Sequence, residues 1–203
     1  MFAIILSRRD FRENDQIISI YTAEKGKLEV LARGVKKIIS KNAAFLEPFF
    51  LVDAEIVPGK EIIHLIKAQP INSFKNIRSD FDKIFMVGYL INLTDRLLKT
   101  EDPDKRVYKL LLSFLEFLDQ TGVLNSLLLD AYLLKFFSLL GFDISGADNI
   151  DMNTKKYLEL LLNNEWNNLP IDLDKKVVQA LHRTVHQFMQ AQSEQKLAYF
   201  SQI

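Results

Sequence analysis

The sequence predicts an α+β chain of two domains, a small N-terminal β-barrel over residues 1–75 followed by an all-α helical domain over residues 76–203. Three observations carry this reading. Apolar residues recur with period two through roughly the first seventy residues, the period changes to near 3.6 from Ser79 onward, and the strands are too few for two packed sheets.

The strands come first. Phe2, Ile4 and Leu6 alternate with smaller or polar neighbours; Gln16 to Thr22 is rich in β-branched residues; Leu28, Val30 and Ala32 alternate with Lys27, Glu29 and Arg33. Glu24-Lys25-Gly26-Lys27 supplies the glycine of a tight hairpin between the second and third runs. Phe49 to Val57 and Glu61 to Ala68 form a second pair across Val57-Pro58-Gly59-Lys60, where Pro then Gly at the central positions suits a type II turn with φ > 0 at Gly59. Phe50, Val52, Ala54 and Ile56 face one way, Asp53 and Glu55 the other, as in a half-buried strand. The count fits a partly open barrel of the OB type, a scaffold used for oligonucleotides, although a fold alone establishes no use.

The helices follow. Ser79-Asp80-Phe81-Asp82 resembles a capping box, and Met86, Tyr89, Leu90, Leu93 and Leu97 form one stripe behind it. Asp102-Pro103 supplies the cap and first-turn proline of a second helix carrying Val107, Leu111, Phe114 and Leu118, with Gly122 beyond its end. A third runs to Leu140 before Gly141, and two more fall near 154–164 and 174–190.

The 203 residues contain no cysteine, which removes disulfides, thiolate zinc sites and a cysteine nucleophile. Phe2 to Leu6 is short and runs into Arg8 and Arg9, the reverse of a signal peptide. Glu116, Asp119, Asp130 and Lys135 break the apolar stretch from Leu110 to Phe142 below the length of a membrane span. The expectation is a soluble cytoplasmic protein that engages no membrane.

Neither G-x-G-x-x-G nor G-x-x-x-x-G-K-[ST] occurs. His182 and His186 have the spacing of two zinc ligands on a helix, but Arg183 stands where a metalloprotease has its general base and the third histidine, His64, lies in the barrel, so two surface or capping histidines and no metal site are expected. The carboxylates of Glu101 to Asp104 and Asp143 to Asp151 lie between helices, where capping and solvation are their ordinary tasks. No catalytic site, cofactor or small-molecule substrate is expected.

Formal net charge is zero, yet residues 1–80 carry 13 basic and 10 acidic side chains whereas 81–203 carry 13 and 16. Arg33, Lys36, Lys37 and Lys41 lie in a stretch with no acid between Glu29 and Glu47. Clustered cations of this kind neutralise phosphates and release counterions; an ordinary solvated loop is the alternative. No aromatic residue is interleaved with them, Phe45, Phe49 and Phe50 belonging largely to the barrel core, so backbone contact is expected over base reading. Leu127, Leu128, Ala131, Leu134 and Phe137, with Lys135 beside them, suit either helical core or a groove for a partner's apolar peptide.

Finally, the runs Leu6-Ser7-Arg8-Arg9-Asp10-Phe11-Arg12-Glu13-Asn14-Asp15, Ile17 to Tyr21, Glu24-Lys25-Gly26-Lys27-Leu28 and Ala32-Arg33-Gly34-Val35-Lys36-Lys37 together resemble the N-terminal signature of the bacterial RecO family of DNA repair proteins. Leu46-Glu47-Pro48-Phe49, Ser79-Asp80, Leu139-Leu140-Gly141-Phe142 and Lys196-Leu197-Ala198-Tyr199-Phe200 continue it along nearly the whole chain. The resemblance implies a nucleoid-associated recombination mediator with an OB-fold domain and a helical domain. Such a protein binds single- and double-stranded DNA, anneals complementary strands and assists RecA loading in the RecF pathway, together with RecR and the acidic, apolar C-terminal tail of single-stranded DNA-binding protein. It implies DNA contact by the loop after the third strand, hence Arg33, Lys36 and Lys37; charge adds Lys41 and, as an extension, Arg8, Arg9, Arg12, Lys25 and Lys27. Many relatives carry a four-cysteine zinc module where Asp143 to Asn153 stands, so no zinc requirement is expected here. The near-neutral charge implies weaker DNA binding than in basic relatives. The alternative is an adaptor that binds partner peptides through its helical domain and has little DNA affinity.

Overall fold

A computed structural model of the chain describes residues 1–37, 43–144, 150–170 and 172–192, with no side-chain description for residue 43. Lys41, part of the Asp143 to Asn153 segment and the Lys196 to Phe200 run lie outside the described residues. By their contacts the residues gather into two compact units, Met1–Gln120 and Thr121–Ile203.

In the first unit five strands, β1 (Phe2–Asp10), β2 (Gln16–Thr22), β3 (Gly26–Ala32), β4 (Leu51–Val57) and β5 (Ile63–Asn72), form a closed barrel in the order β1-β2-β3-β5-β4. All neighbours are antiparallel except β3 and β5, which pair in parallel through Val30–Ile63, Leu31–His64 and Ala32–Leu65. This is the OB arrangement, fully closed rather than partly open. A bulge between Ile5 and Ser7 bends β1, so that its first residues pair with β4 on one side and β2 on the other.

Inward-facing Ala3, Ile5, Ile18, Ile20, Leu28, Val30, Phe50, Val52 and Ala54 fill the interior together with Leu65 and Ala68. The outward residues Ile4, Leu6, Ile17 and Tyr21 are buried too. They lie under α2 (Phe81–Leu97) and α3 (Lys105–Gln120), which pack on β1 and β2. Strand gives way to helix between Asn72 and Lys75, ahead of the change of period at Ser79, and the first compact unit runs on to Gln120, because α2 and α3 cover the outer face of the barrel.

One carboxylate ties α2 down. Asp95 accepts hydrogen bonds from Ser7 of β1 and Ser19 of β2, both at 2.6 Å, and pairs at 3.2 Å with Lys27 of β3. The Lys27 ammonium also donates to the carbonyls of Asp95 and Leu98 at the end of α2, where backbone oxygens lack helical partners. Beyond the helix, Thr100 bridges to Lys27 and the Glu101 amide donates to the Lys27 carbonyl at 2.8 Å, covering the edge of β3 that β5 does not reach. Lys83 of α2 donates to the Leu118 carbonyl at 2.8 Å, and Asp119 caps α1 (Lys75–Arg78) through the amides of Asn76 and Ile77.

Three local readings need correction. The cap of α2 is Asp80, which accepts from the amides of Asp82 and Lys83, while Ser79 ends α1. For α3 it is Asp104, whose side chain accepts from the Arg106 amide, so Pro103 precedes the cap. Gly59 does not have positive φ, and β4 and β5 are joined by a longer loop, Pro58 to Ile62. Glycine is needed there because a Cβ would collide with the Ile62 carbonyl and the His64 ring.

The second unit contains α4 (Ser126–Leu139), α5 (Met152–Asn163) and α6 (Lys175–Gln192). From Leu127 to Leu134 every residue of α4 is buried, as expected of a central helix that α5 and α6 pack against. Its one buried carboxylate, Asp130, meets His182 of α6 at 2.8 Å, and burial holds its pKa above the ordinary range. No helix among the described residues is long and apolar enough to cross a membrane.

Gly26 meets two demands at once. Its φ is +67°, and an added Cβ would sit 2.5 Å from the Asp102 carbonyl oxygen. Gly26→Ala is therefore expected to cost at least about 2 kcal/mol, measured as a lowered urea midpoint at unchanged m-value.

Candidate nucleic-acid interface

Asp10, Gln16 and Ala32 lie in one row of the sheet, Gln16 pairing with both of the others. The β1–β2 loop and the turn after β3 therefore leave the barrel at the same end. Three hydrogen bonds fasten them together. Asp15 accepts from the Gly34 amide at 2.8 Å, the Asn14 carbonyl accepts from the Lys36 amide at 3.1 Å, and the Asp10 carboxylate receives the Lys36 ammonium at 2.8 Å. Gly34, at φ +64°, supplies the left-handed step in the turn, and buried Val35 pins it to the barrel core. Between these anchors Arg33, Lys36 and Lys37 are exposed.

The same end carries Arg12, whose guanidinium lies 5.1 Å from the centre of the exposed Phe11 ring. Arg12, Arg33 and Lys37 form no ion pair among the described residues, whereas Lys36 is shared with Asp10. The hydrogen bond from Lys36, and a second from Gln16, hold the Asp10 carboxyl below its ordinary pKa, so it is anionic throughout the neutral range. Arg8 and Arg9 lie next along β1, and each meets an acid, Arg8 with Glu47 at 2.8 Å and Arg9 with Glu29 at 3.0 Å.

Two cations chosen from the sequence leave the set. Lys25 stands exposed beyond the opposite end of β2, and a seven-residue strand spans roughly 20 Å. Lys27 is largely buried in the Asp95 anchor and faces α2. The fold also supplies what a count of charges misses, an exposed aromatic at the cationic end. Phe11 sits among Arg8, Arg9 and Arg12 in the sequence, and that flanking is the signal that would have found it.

The groove residues are corrected as well. Leu127, Leu128, Ala131 and Leu134 are at most 2% exposed and form core. Lys135 donates to the carbonyls of Leu162 and Asn164 at the end of α5 and lies 5.4 Å from the Trp166 ring centre. Desolvation holds its pKa below the usual lysine value. A surface cleft lined by Leu28, Glu29, Glu61, Ile62, Ile63, Thr100 and Glu101 carries three carboxylates and no cation, so it repels phosphate.

The class defined by this geometry is an OB-barrel protein with one cationic loop end and a helical region after the barrel. The description "Recombination protein O N terminal" matches residues 1–74 and "Recombination protein O C terminal" matches residues 78–149. The chain belongs to the bacterial RecO family. It is 34% identical over 145 residues to the DNA repair protein RecO of Geobacter metallireducens, covering 70% of this chain and 58% of that one. It is 36% identical over 120 residues to the protein of the same name from Geobacter sulfurreducens, covering 59% and 49%. With that of Caldanaerobacter subterraneus subsp. tengcongensis it shares 27% over 140 residues, 69% and 57%. The chain thus spans less than two thirds of the length of these relatives.

Lys27→Ala removes hydrogen bonds from a charged group to two carbonyls and one carboxylate. A loss of about 1.5–3 kcal/mol in unfolding free energy is expected, where a solvated surface lysine would change it by less than about 0.5 kcal/mol. Urea unfolding separates the two.

Proposed function

We propose that the chain is a DNA repair and recombination mediator that grips the backbone of single- and double-stranded DNA with the cationic end of its barrel. On this reading it anneals complementary strands and assists RecA loading in the RecF pathway, with RecR and the tail of single-stranded DNA-binding protein as partners in the bacterial cytoplasm, at the nucleoid. No catalytic step is assigned to it. The observation that carries the reading is the convergence of Arg12, Arg33, Lys36 and Lys37 from two loops onto one end of an OB-type barrel. Membership of a family whose relatives are named DNA repair proteins supports it. The adaptor alternative loses its groove, since the residues that would line it are core.

Phosphate contacts release condensed counterions, so binding weakens with salt. With about four phosphates engaged, log affinity should fall against log salt at a slope of roughly −3 to −4. Fluorescence anisotropy with a labelled oligonucleotide at several salt concentrations measures this slope, and absence of binding at low salt would refute the reading. Replacing Lys36 and Lys37 with Ala should weaken binding to all sequences alike and flatten the slope by roughly 1.5 to 2.

Asp10 is the counter-charge at this site. Asp10→Asn should tighten binding at low salt, with the gain fading as salt rises. Because Lys36 holds the Asp10 carboxyl below its ordinary range, the carboxylate stays charged and wild-type affinity should not change on its account between pH 6 and 8. Titrations of both proteins across that range check the point.

A further inference from the structure

Backbone contact by cations does not by itself distinguish a single strand from a duplex beyond charge density. A ring that stacks on unpaired bases does, and among the described residues the cationic end carries one exposed aromatic. Phe11 is 44% exposed in the β1–β2 loop, beside Arg12, which forms no ion pair among the described residues. The other exposed phenylalanines among the described residues lie elsewhere, Phe2 at the opposite end of β1 and Phe81 and Phe85 on α2. Nor does the Phe11 ring hang on a loose segment. Its amide donates to the Asp15 carbonyl at 3.1 Å, the Asp15 amide donates to the Arg12 carbonyl at 3.4 Å, and the Asp15 carboxylate holds the Gly34 amide. The backbone that carries the ring is thereby tied to the same turn that presents Arg33, Lys36 and Lys37.

An exposed aromatic ring forfeits its burial, and a nucleobase restores it by stacking on the open π-face. Arg12 over the ring adds a planar cation that can stack on the same base or turn to the adjacent phosphate. We propose that Phe11 with Arg12 is a stacking platform for an unpaired nucleobase, which makes the cationic end prefer single strands. Bases within a duplex are already stacked on one another and offer no free face, so only unpaired bases use the platform. The proposal rests on DNA binding at this end and adds a selectivity that charge does not supply.

The test uses the full chain with a labelled single-stranded 20-mer and the corresponding blunt duplex, titrated at several salt concentrations. Phe11→Ala and Phe11→Leu should each lower single-strand affinity at least about fivefold at every salt concentration, with the salt slope and the duplex affinity unchanged. Phe11→Trp, with a larger π-face, should keep or raise single-strand affinity. Equal losses on both substrates would overturn the proposal, because a stacking residue acts on one only. So would unchanged single-strand affinity in a protein whose slope still responds to the Lys36 and Lys37 replacements, and in that case the DNA-binding reading survives without it. If the wild-type chain binds neither substrate, both readings fall together.

Discussion

Closure of the barrel rests on three residues of parallel ladder, Val30–Ile63, Leu31–His64 and Ala32–Leu65. Without it the five strands are an open sheet with two unpaired edges, a costly arrangement for a chain that must satisfy its backbone donors and acceptors. With it, every strand has two neighbours, β4 lying between β5 and β1 through its own antiparallel pairs, and the chain crosses from the end of β3 to the start of β4. The crossing begins with the turn Arg33 to Lys37. The antiparallel register that puts Asp10, Gln16 and Ala32 in one row brings this cationic turn out at the end where Asp10 hands over to the β1–β2 loop, and closure makes the chain cross the barrel from there.

A second constraint operates on the outside of the same strands. β1 and β2 are apolar on both faces, as Ile4 and Ile5 or Ile20 and Tyr21 illustrate, so one face needs a cover that the barrel cannot supply. α2 and α3 supply it, Tyr21 packing 6.4 Å from Tyr108 and sharing hydrogen bonds with the backbone of Asp104. Asp95 then fixes α2 against three strands at once. Lys27 belongs to this architecture, a cation placed where an internal carboxylate and helix-end carbonyls require one, and its charge is not part of the surface field.

These two constraints explain what was legible in the residues. Strands with clean alternation or dense β-branching were readable, β2 from Gln16 to Thr22 without adjustment, because period two is a local property. The closing ladder was not, since parallel pairing across more than thirty residues leaves no local mark. Gly59 was recognised as necessary for the wrong reason. Its requirement comes from Ile62 and His64, which only the folded loop brings near. For Lys27 the decisive partner is 68 positions away, and for Leu127 to Leu134 an apolar stripe cannot tell which neighbour covers it. Phe11 is not legible from the cations after β3 because the fold delivers it from a different loop.

The cationic end is held in shape by its own counter-charges. Asp15 orders the Gly34 turn, Asp10 holds Lys36, Glu47 holds Arg8 and Glu29 holds Arg9. Each carboxylate reduces the attraction to phosphate, which agrees with a formal net charge of zero. Each also fixes a flexible side chain or loop before a ligand arrives, which lowers the ordering cost of association. For the proposed binding the balance is favourable, because these ion pairs are solvated and each holds its cation only weakly. On the proposed reading a phosphate replaces such a carboxylate at little loss, Arg8, Arg9 and Lys36 being recruitable and Arg12, Arg33 and Lys37 supplying the first attraction. Affinity at this end then depends less on how many cations it carries than on how cheaply each exchanges an internal anion for an external one.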